Sequence, residues 1–236
     1  MGEDLLNHKN ALRAAFPHTI PVMLGYLFLG AAFGILLNSR GYSWGWAVLM
    51  SVFIYAGSMQ FVAISLLSGP FLPLQAVLMT LMVNARHTFY GISMLDKFKG
   101  MGKKKPYMIF SLTDETFSLL CSARAPEGVD ENRFLFCVSL LDQLYWIIGS
   151  AAGGIIGSMV SFNTKGIDFV MTALFTVIFV DQWENNKNHI PALIGLGGSA
   201  LCLAVFGPGN FILPSMALIV FALSLLRKTV EREENT

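Results

Sequence analysis

Charge placed inside apolar sequence is the feature that most restricts this chain. Asp114 and Glu115 stand side by side within the apolar run 107–121, and Arg86 lies inside the long apolar stretch 71–95. In lipid an ionised side chain costs a few kcal/mol or more, so it usually faces a polar interior, a water-filled cavity or a solute path. A chain of this kind reads as a membrane protein with a polar interior, and that moves the expectation towards solute movement.

Composition agrees. Of 236 residues, 54% are hydrophobic and 13% charged, against about 25% charged in soluble domains. The net charge of +1 gives no reason to expect nucleic acid. The dense basic run is 97–105, with Lys97, Lys99, Lys103, Lys104 and Lys105 between two apolar segments. There it reads as a cytoplasmic topology signal touching membrane lipid headgroups. Cys121, Cys137 and Cys202 fall in or beside apolar segments, form no Cys-x-x-Cys pair and show no ligand spacing with the histidines. They read as small reduced hydrophobes, with no metal site and no cofactor expected. The first ten residues are polar and carry no signal-peptide cleavage pattern.

A membrane helix needs about 20 mostly apolar residues. Eight candidate segments emerge, at 17–37, 44–67, 71–95, 106–123, 134–160, 167–183, 190–206 and 211–226. The predicted fold is an all-α integral membrane protein, a polytopic bundle of about 6–8 membrane segments forming one transport domain over 1–236. The fourth segment is the shortest and most polar, and the sixth and seventh are also short; each is a candidate half-helix or re-entrant segment. Ala56-Gly57-Ser58 interrupts the second segment just before Gln60, while 206–210 (Phe-Gly-Pro-Gly-Asn) reads as a turn.

Two structural repeats are expected, about 17–123 and 134–227. Tyr26-Leu-Phe-Leu-Gly-Ala-Ala-Phe-Gly34 resembles Tyr145-Trp-Ile-Ile-Gly-Ser-Ala-Ala-Gly153, and 52–61 resembles 174–183 at nearly the same offset. Gly30 with Gly34, and Gly149 with Gly153 and Gly157, form small-residue ladders that suit close helix packing in lipid. Orientation conflicts with eight full spans. The Lys-rich loop, Lys9, Arg13, Arg227 and Lys228 all favour the cytoplasmic side, yet three crossings would separate the N-terminus from that loop. Either one segment of each half does not cross, which gives each half an even number of crossings, or the weak N-terminal charges are overruled.

No nucleophile elbow, zincin, dinucleotide or P-loop motif occurs, so no enzyme is expected and an ATP-driven pump would need a separate ATPase. The intramembrane polar set is Gln60, Asn84, Arg86, His87, Asp114, Glu115, Asp142, Gln143, Asp181 and Gln182. Asp181 and Gln182 end a segment and read as interfacial. Asp142 reads as a buried acid, either functional or paired to Arg86 or a backbone amide. Arg86 either snorkels to the cytoplasmic face or joins a polar cluster with Tyr90, one helical turn away. Asp114 and Glu115 differ by about 100° around a helix, so one is free to bind a cation or proton while the other pairs with Arg86 or a lysine.

These elements together resemble the AzlC-type branched-chain amino acid permease family. The resemblance rests on Pro21-x-x-x-Gly25 with Gly30 and Gly34, on Tyr55-Ala-Gly-Ser-Met-Gln-Phe61, on Asn84-Ala-Arg-His-x-x-Tyr90 and on Leu112-Thr-Asp-Glu-Thr-Phe117. It implies export of branched-chain amino acids or toxic analogues across the cell membrane, with a separately encoded small AzlD-type membrane protein as partner. A zwitterion needs an anion-binding element, such as Arg86 or exposed helix-end amides at Gly57. It needs an acceptor for its ammonium, such as Asp114, Glu115 or Asp142, and an apolar pocket to which Phe53, Met59 and Phe61 contribute. Gln60 can hydrogen-bond either end, and Asn84 belongs to the same polar set. A non-transporting scaffold or regulatory subunit is the second reading, and a membrane enzyme the third.

Overall fold

The computed structural model describes residues 2–69, 72–159, 168–185, 188–208 and 211–234. All regular structure among them is helical. The elements are α1 (Gly2–Ser39), α2 (Trp44–Phe53), α3 (Gly57–Ser68), α4 (Pro73–Ser93), α5 (Lys105–Phe110), α6 (Asp114–Ser122), α7 (Glu131–Met159), α8 (Asp168–Asn185), α9 (Ile190–Phe206) and α10 (Ile212–Glu234). A single 3-10 turn, Gly102–Lys104, leads into α5. The chain divides into two compact units, Met1–Met171 and Thr172–Thr236.

In the first unit α1 and α7 run parallel as a central pair. Glycines set their separation. A Cβ on Gly34 would lie 2.2 Å from the Ser150 carbonyl oxygen, and one on Gly153 would lie 2.0 Å from that of Ala31. Only hydrogen fits there, so the small-residue ladders read from the sequence are the contact itself. Lys9–Ser39 within α1 and Glu131–Met159 are long and apolar enough to cross a membrane. Apolar side chains also face outward, Phe28 and Phe89 each at 70% exposure, which suits a lipid surround.

The second and fourth predicted segments do not form single helices. Each is a helical hairpin. Trp44–Phe53 ends where Tyr55 takes a left-handed backbone (φ 43°), and Gly57 starts α3 directly afterwards. The Tyr42 hydroxyl at the start of α2 donates to the Leu67 carbonyl at the end of α3 (3.3 Å), closing the hairpin base. At about 1.5 Å per residue α2 and α3 are each some 15–18 Å long, about half the hydrocarbon thickness of a bilayer.

The other hairpin breaks at Ser111–Thr113. Thr113 caps α6, its hydroxyl accepting from the Thr116 amide, and Asp114 and Glu115 occupy the first turn. Acids there complement the positive helix end. Lys97 closes this base by donating to the Leu120 and Ala123 carbonyls. Its ammonium is held below the usual lysine range by partial burial and then by neighbouring Arg124.

Met94, Phe98 and Met101 of the Lys-rich loop pack with Ala11 and Ala15 of α1 and with Phe134 and Leu135 of α7. At the opposite end Gly157 packs on Ile35 and Asn38, and Gly154 on Trp44. The α2–α3 hairpin therefore comes in from one end of the unit and the α5–α6 hairpin from the other. Their tips approach each other in the middle, with the Tyr55 and Phe110 rings 6.2 Å apart.

In the second unit α9 packs on α10, with Gly198 against Ile219, and Trp183 stacks on His189 at 4.1 Å. Gly207, at φ 72°, ends α9 as the predicted turn requires; 209–210 lie outside the described residues. So do the side chains of Asp181 and Gln182, and those of Arg227 and Lys228.

Candidate functional site

The polar residues converge where the two hairpin tips meet α1, α4 and α7. Arg86, in α4, reaches both tips. Its Nη2 donates to Ser58 Oγ at 2.8 Å and pairs with Asp114 Oδ2 at 2.9 Å. Tyr90, one turn further along α4, donates to Asp114 Oδ1 at 2.7 Å and stacks on Phe117 at 4.3 Å. Arg86 thus turns inward to a cluster and does not snorkel. Its partner is Asp114, not Asp142. The Arg86 and Asp114 side chains are 23% and 26% exposed, so the pair is not sealed in the core. Arg86 Nε and Asn84 Oδ1 are buried without a hydrogen-bond partner.

Glu115 points elsewhere, as the angle between neighbouring helical residues requires. Its Oε2 accepts from the Tyr26 hydroxyl of α1 at 2.9 Å. Tyr26 also meets Thr113, Thr113 meets Thr116, and Thr116 donates to Asp142 Oδ2 at 2.9 Å. Asp142 is fully buried on α7. Its other oxygen has no partner, and the buried Tyr55 hydroxyl lies close to Thr116.

The Gln60 side chain is fully buried and used at both ends. Its amide donates to Ser51 Oγ at 3.3 Å and its carbonyl accepts from Trp146 Nε1 at 2.8 Å. The Trp146 ring lies over Gly57, where a Cβ would approach it to 3.2 Å. Gln143 is used similarly, donating to the Val52 carbonyl and accepting from Tyr107. Both glutamines tie a hairpin tip to α7. Phe61 and Met59 are buried, and Phe61 packs edge-on to Phe33 at 5.7 Å. Phe53, by contrast, is 72% exposed and faces away from this wall.

Arg86, Asp114, Glu115, Gly57, Gln60, Phe61 and Asp142 are thus gathered around the tips, with Asn84 on the same helix as Arg86. Sequence reading missed the hydroxyls that join them: Tyr26, Ser58, Thr113 and Thr116. Thr113 did carry a signal, because a threonine before two acids is an N-cap pattern. Among the described residues no group of His, Cys, Asp and Glu is arranged to hold a metal ion.

Comparison with known proteins follows the same lines. The family described as AzlC protein matches residues 21–160. The branched-chain amino acid transport protein AzlC of Bacillus subtilis is 54% identical over 95% of this chain and 88% of its own length. An uncharacterized membrane protein of Helicobacter pylori J99 is 48% identical over 94% of this chain and 97% of its own. One from Haemophilus influenzae is 42% identical over 91% and 88%. No solved structure matches. With a helical fold, a polar centre between two hairpin tips and relatives of this closeness, the chain belongs to the AzlC family of membrane proteins.

Proposed function

We propose that the chain is the large subunit of a secondary exporter of branched-chain amino acids. It crosses the cytoplasmic membrane several times, is driven by the proton gradient and works with a small AzlD-type membrane protein. The observation that carries this reading is the Arg86–Asp114 pair held between two opposed hairpin tips. Half-helices whose ends meet within the fold are how secondary carriers expose polar groups to a solute without exposing backbone to lipid. The name of the Bacillus relative supports the solute class.

In this reading the substrate carboxylate approaches Arg86, whose Nε lacks an acceptor, and displaces Asp114 from it. Asp114, released, takes the substrate ammonium. The aliphatic side chain lies against the wall formed by Met59 and Phe61. The two repeats, about 17–123 and 134–227, belong to the same reading. Their supporting feature is that the matching stretches pack on each other, Gly30 against Gly149 and Ser150, and Gly34 against Gly153 and Gly154.

The test is efflux of preloaded radiolabelled leucine, isoleucine and valine from cells lacking their own exporter. The chain is expressed alone and with its small partner, with and without a protonophore. Faster efflux with the partner, abolished by the protonophore, is the expected result. Unchanged efflux from cells in which both chains are inserted overturns it.

A further inference from the structure

Four oxygen-to-oxygen contacts run in series from Glu115 to Asp142. Glu115 Oε2 to the Tyr26 hydroxyl is 2.9 Å, Tyr26 to Thr113 is 2.5 Å, Thr113 to Thr116 is 3.0 Å, and Thr116 to Asp142 Oδ2 is 2.9 Å. The row has five oxygens and four gaps, but its hydroxyls, one each on Tyr26, Thr113 and Thr116, bring three protons. If both carboxyls are ionised, one gap beside Thr113 holds no proton, and lone pairs face each other at hydrogen-bonding distance. Tyr26, Thr113, Thr116 and Asp142 are all buried, where an unmade hydrogen bond carries its full desolvation penalty. The Thr116 amide also donates to Thr113 Oγ1, but from outside the row, so it fills no gap. A single added proton fills all four.

We infer that Glu115 and Asp142 share one proton, carried between them by the hydroxyls of Tyr26, Thr113 and Thr116. The transfer balances. With the proton on Asp142, that carboxyl donates to Thr116, Thr116 to Thr113, Thr113 to Tyr26 and Tyr26 to Glu115. When each passes its proton forward, Glu115 ends neutral, Asp142 ends ionised and every hydroxyl is whole again.

The two ends differ. Glu115 is partly buried and stands beside Asp114, the partner of Arg86. Asp142 is fully buried and faces the phenols of Tyr55 and Tyr107. The row is therefore a proton site whose Glu115 end adjoins the Arg86–Asp114 pair. Its use as the coupling site rests on the transport reading above; the shared proton itself does not.

The test is infrared spectroscopy of the purified full chain across a pH titration, following the carbonyl band of protonated carboxylic acid. Wild type should show one such band at neutral pH. Asp142→Asn should abolish it, because the introduced amide supplies the fourth donor. Thr116→Val and Tyr26→Phe each cut the row into pieces that need no extra proton, and should move the band's midpoint by about one pH unit or more. Thr116→Ser should restore it. Two cutting variants keep the test open if one fails to fold. Absence of the band in wild type, or an unchanged midpoint in a folded cut variant, overturns the inference. Leucine flux into proteoliposomes, read with a pH-sensitive dye, is measured in parallel. A band that behaves as expected with flux that moves no protons upholds the shared proton and removes the coupling reading.

Discussion

Asp114 accepts from Arg86 and Tyr90 at once, and Arg86 in turn grips Ser58 on the opposite hairpin tip. Removing one member of a buried, hydrogen-bonded pair strands the other, at about 3–5 kcal/mol when burial is complete. At about a quarter exposure the effect is smaller. Arg86→Ala and Asp114→Ala should each lower thermal stability in detergent, and the double variant should lose less than the sum, with a coupling of about 1–3 kcal/mol. Additive losses would mean the pair is not formed. At this scale the charged residues were legible in the sequence, because ionised groups in apolar runs stand out by cost alone. The hydroxyls were not. Threonine and tyrosine are tolerated in lipid-facing, packed and bonded positions alike, so Tyr26 and Thr116 give no signal until the fold sets them in a row.

Between elements, glycine decides. Gly34 and Gly153 sit where α1 and α7 touch backbone to backbone, whereas Gly25, on the same helix, has nothing within 4 Å of its notional Cβ. Gly34→Ala and Gly153→Ala should each lower the melting temperature, by an amount reflecting at least about 1–3 kcal/mol of overpacking. Gly25→Ala should be neutral or slightly stabilising, since alanine is the better helix former. Equal behaviour of all three would refute the packed pair. Gly57→Ala is a subtler case, because its Cβ would press on Trp146 at 3.2 Å. It should shift tryptophan fluorescence and weaken the Trp146–Gln60 bond while leaving the α1–α7 contact intact. The hairpin breaks were partly readable. Ala56-Gly57-Ser58 announced the first, but the second hides in Ser111-Leu112-Thr113, which breaks the helix through capping and carries neither glycine nor proline.

For the first unit as a whole, the hairpins settle how charge is distributed between its two ends. Eight full crossings would put the start of α1 and the Lys-rich loop on opposite sides, yet Ala11 and Ala15 share one buried core with Phe98 and Met101. The α2–α3 hairpin returns to the end it came from, so α4 leads back to where α1 began. Lys97, Lys99, Lys103, Lys104, Lys105 and Arg124 then gather at one end with Lys9 and Arg13, and Arg40 lies at the other. By the excess of Lys and Arg in cytoplasmic loops, the first end is the one expected to face the cytoplasm. Cys121 tests this without mutation. It is exposed, whereas Cys137 and Cys202 are buried, and the carbonyls flanking it are those gripped by Lys97. A membrane-impermeant thiol reagent should label one cysteine, Cys121, in inside-out vesicles and none in right-side-out ones. Cys121→Ser should remove the label from the inside-out vesicles. Labelling from the outside would reverse the orientation and with it the reading of the basic loop, while the opposed hairpins, fixed by packing within the unit, would stand.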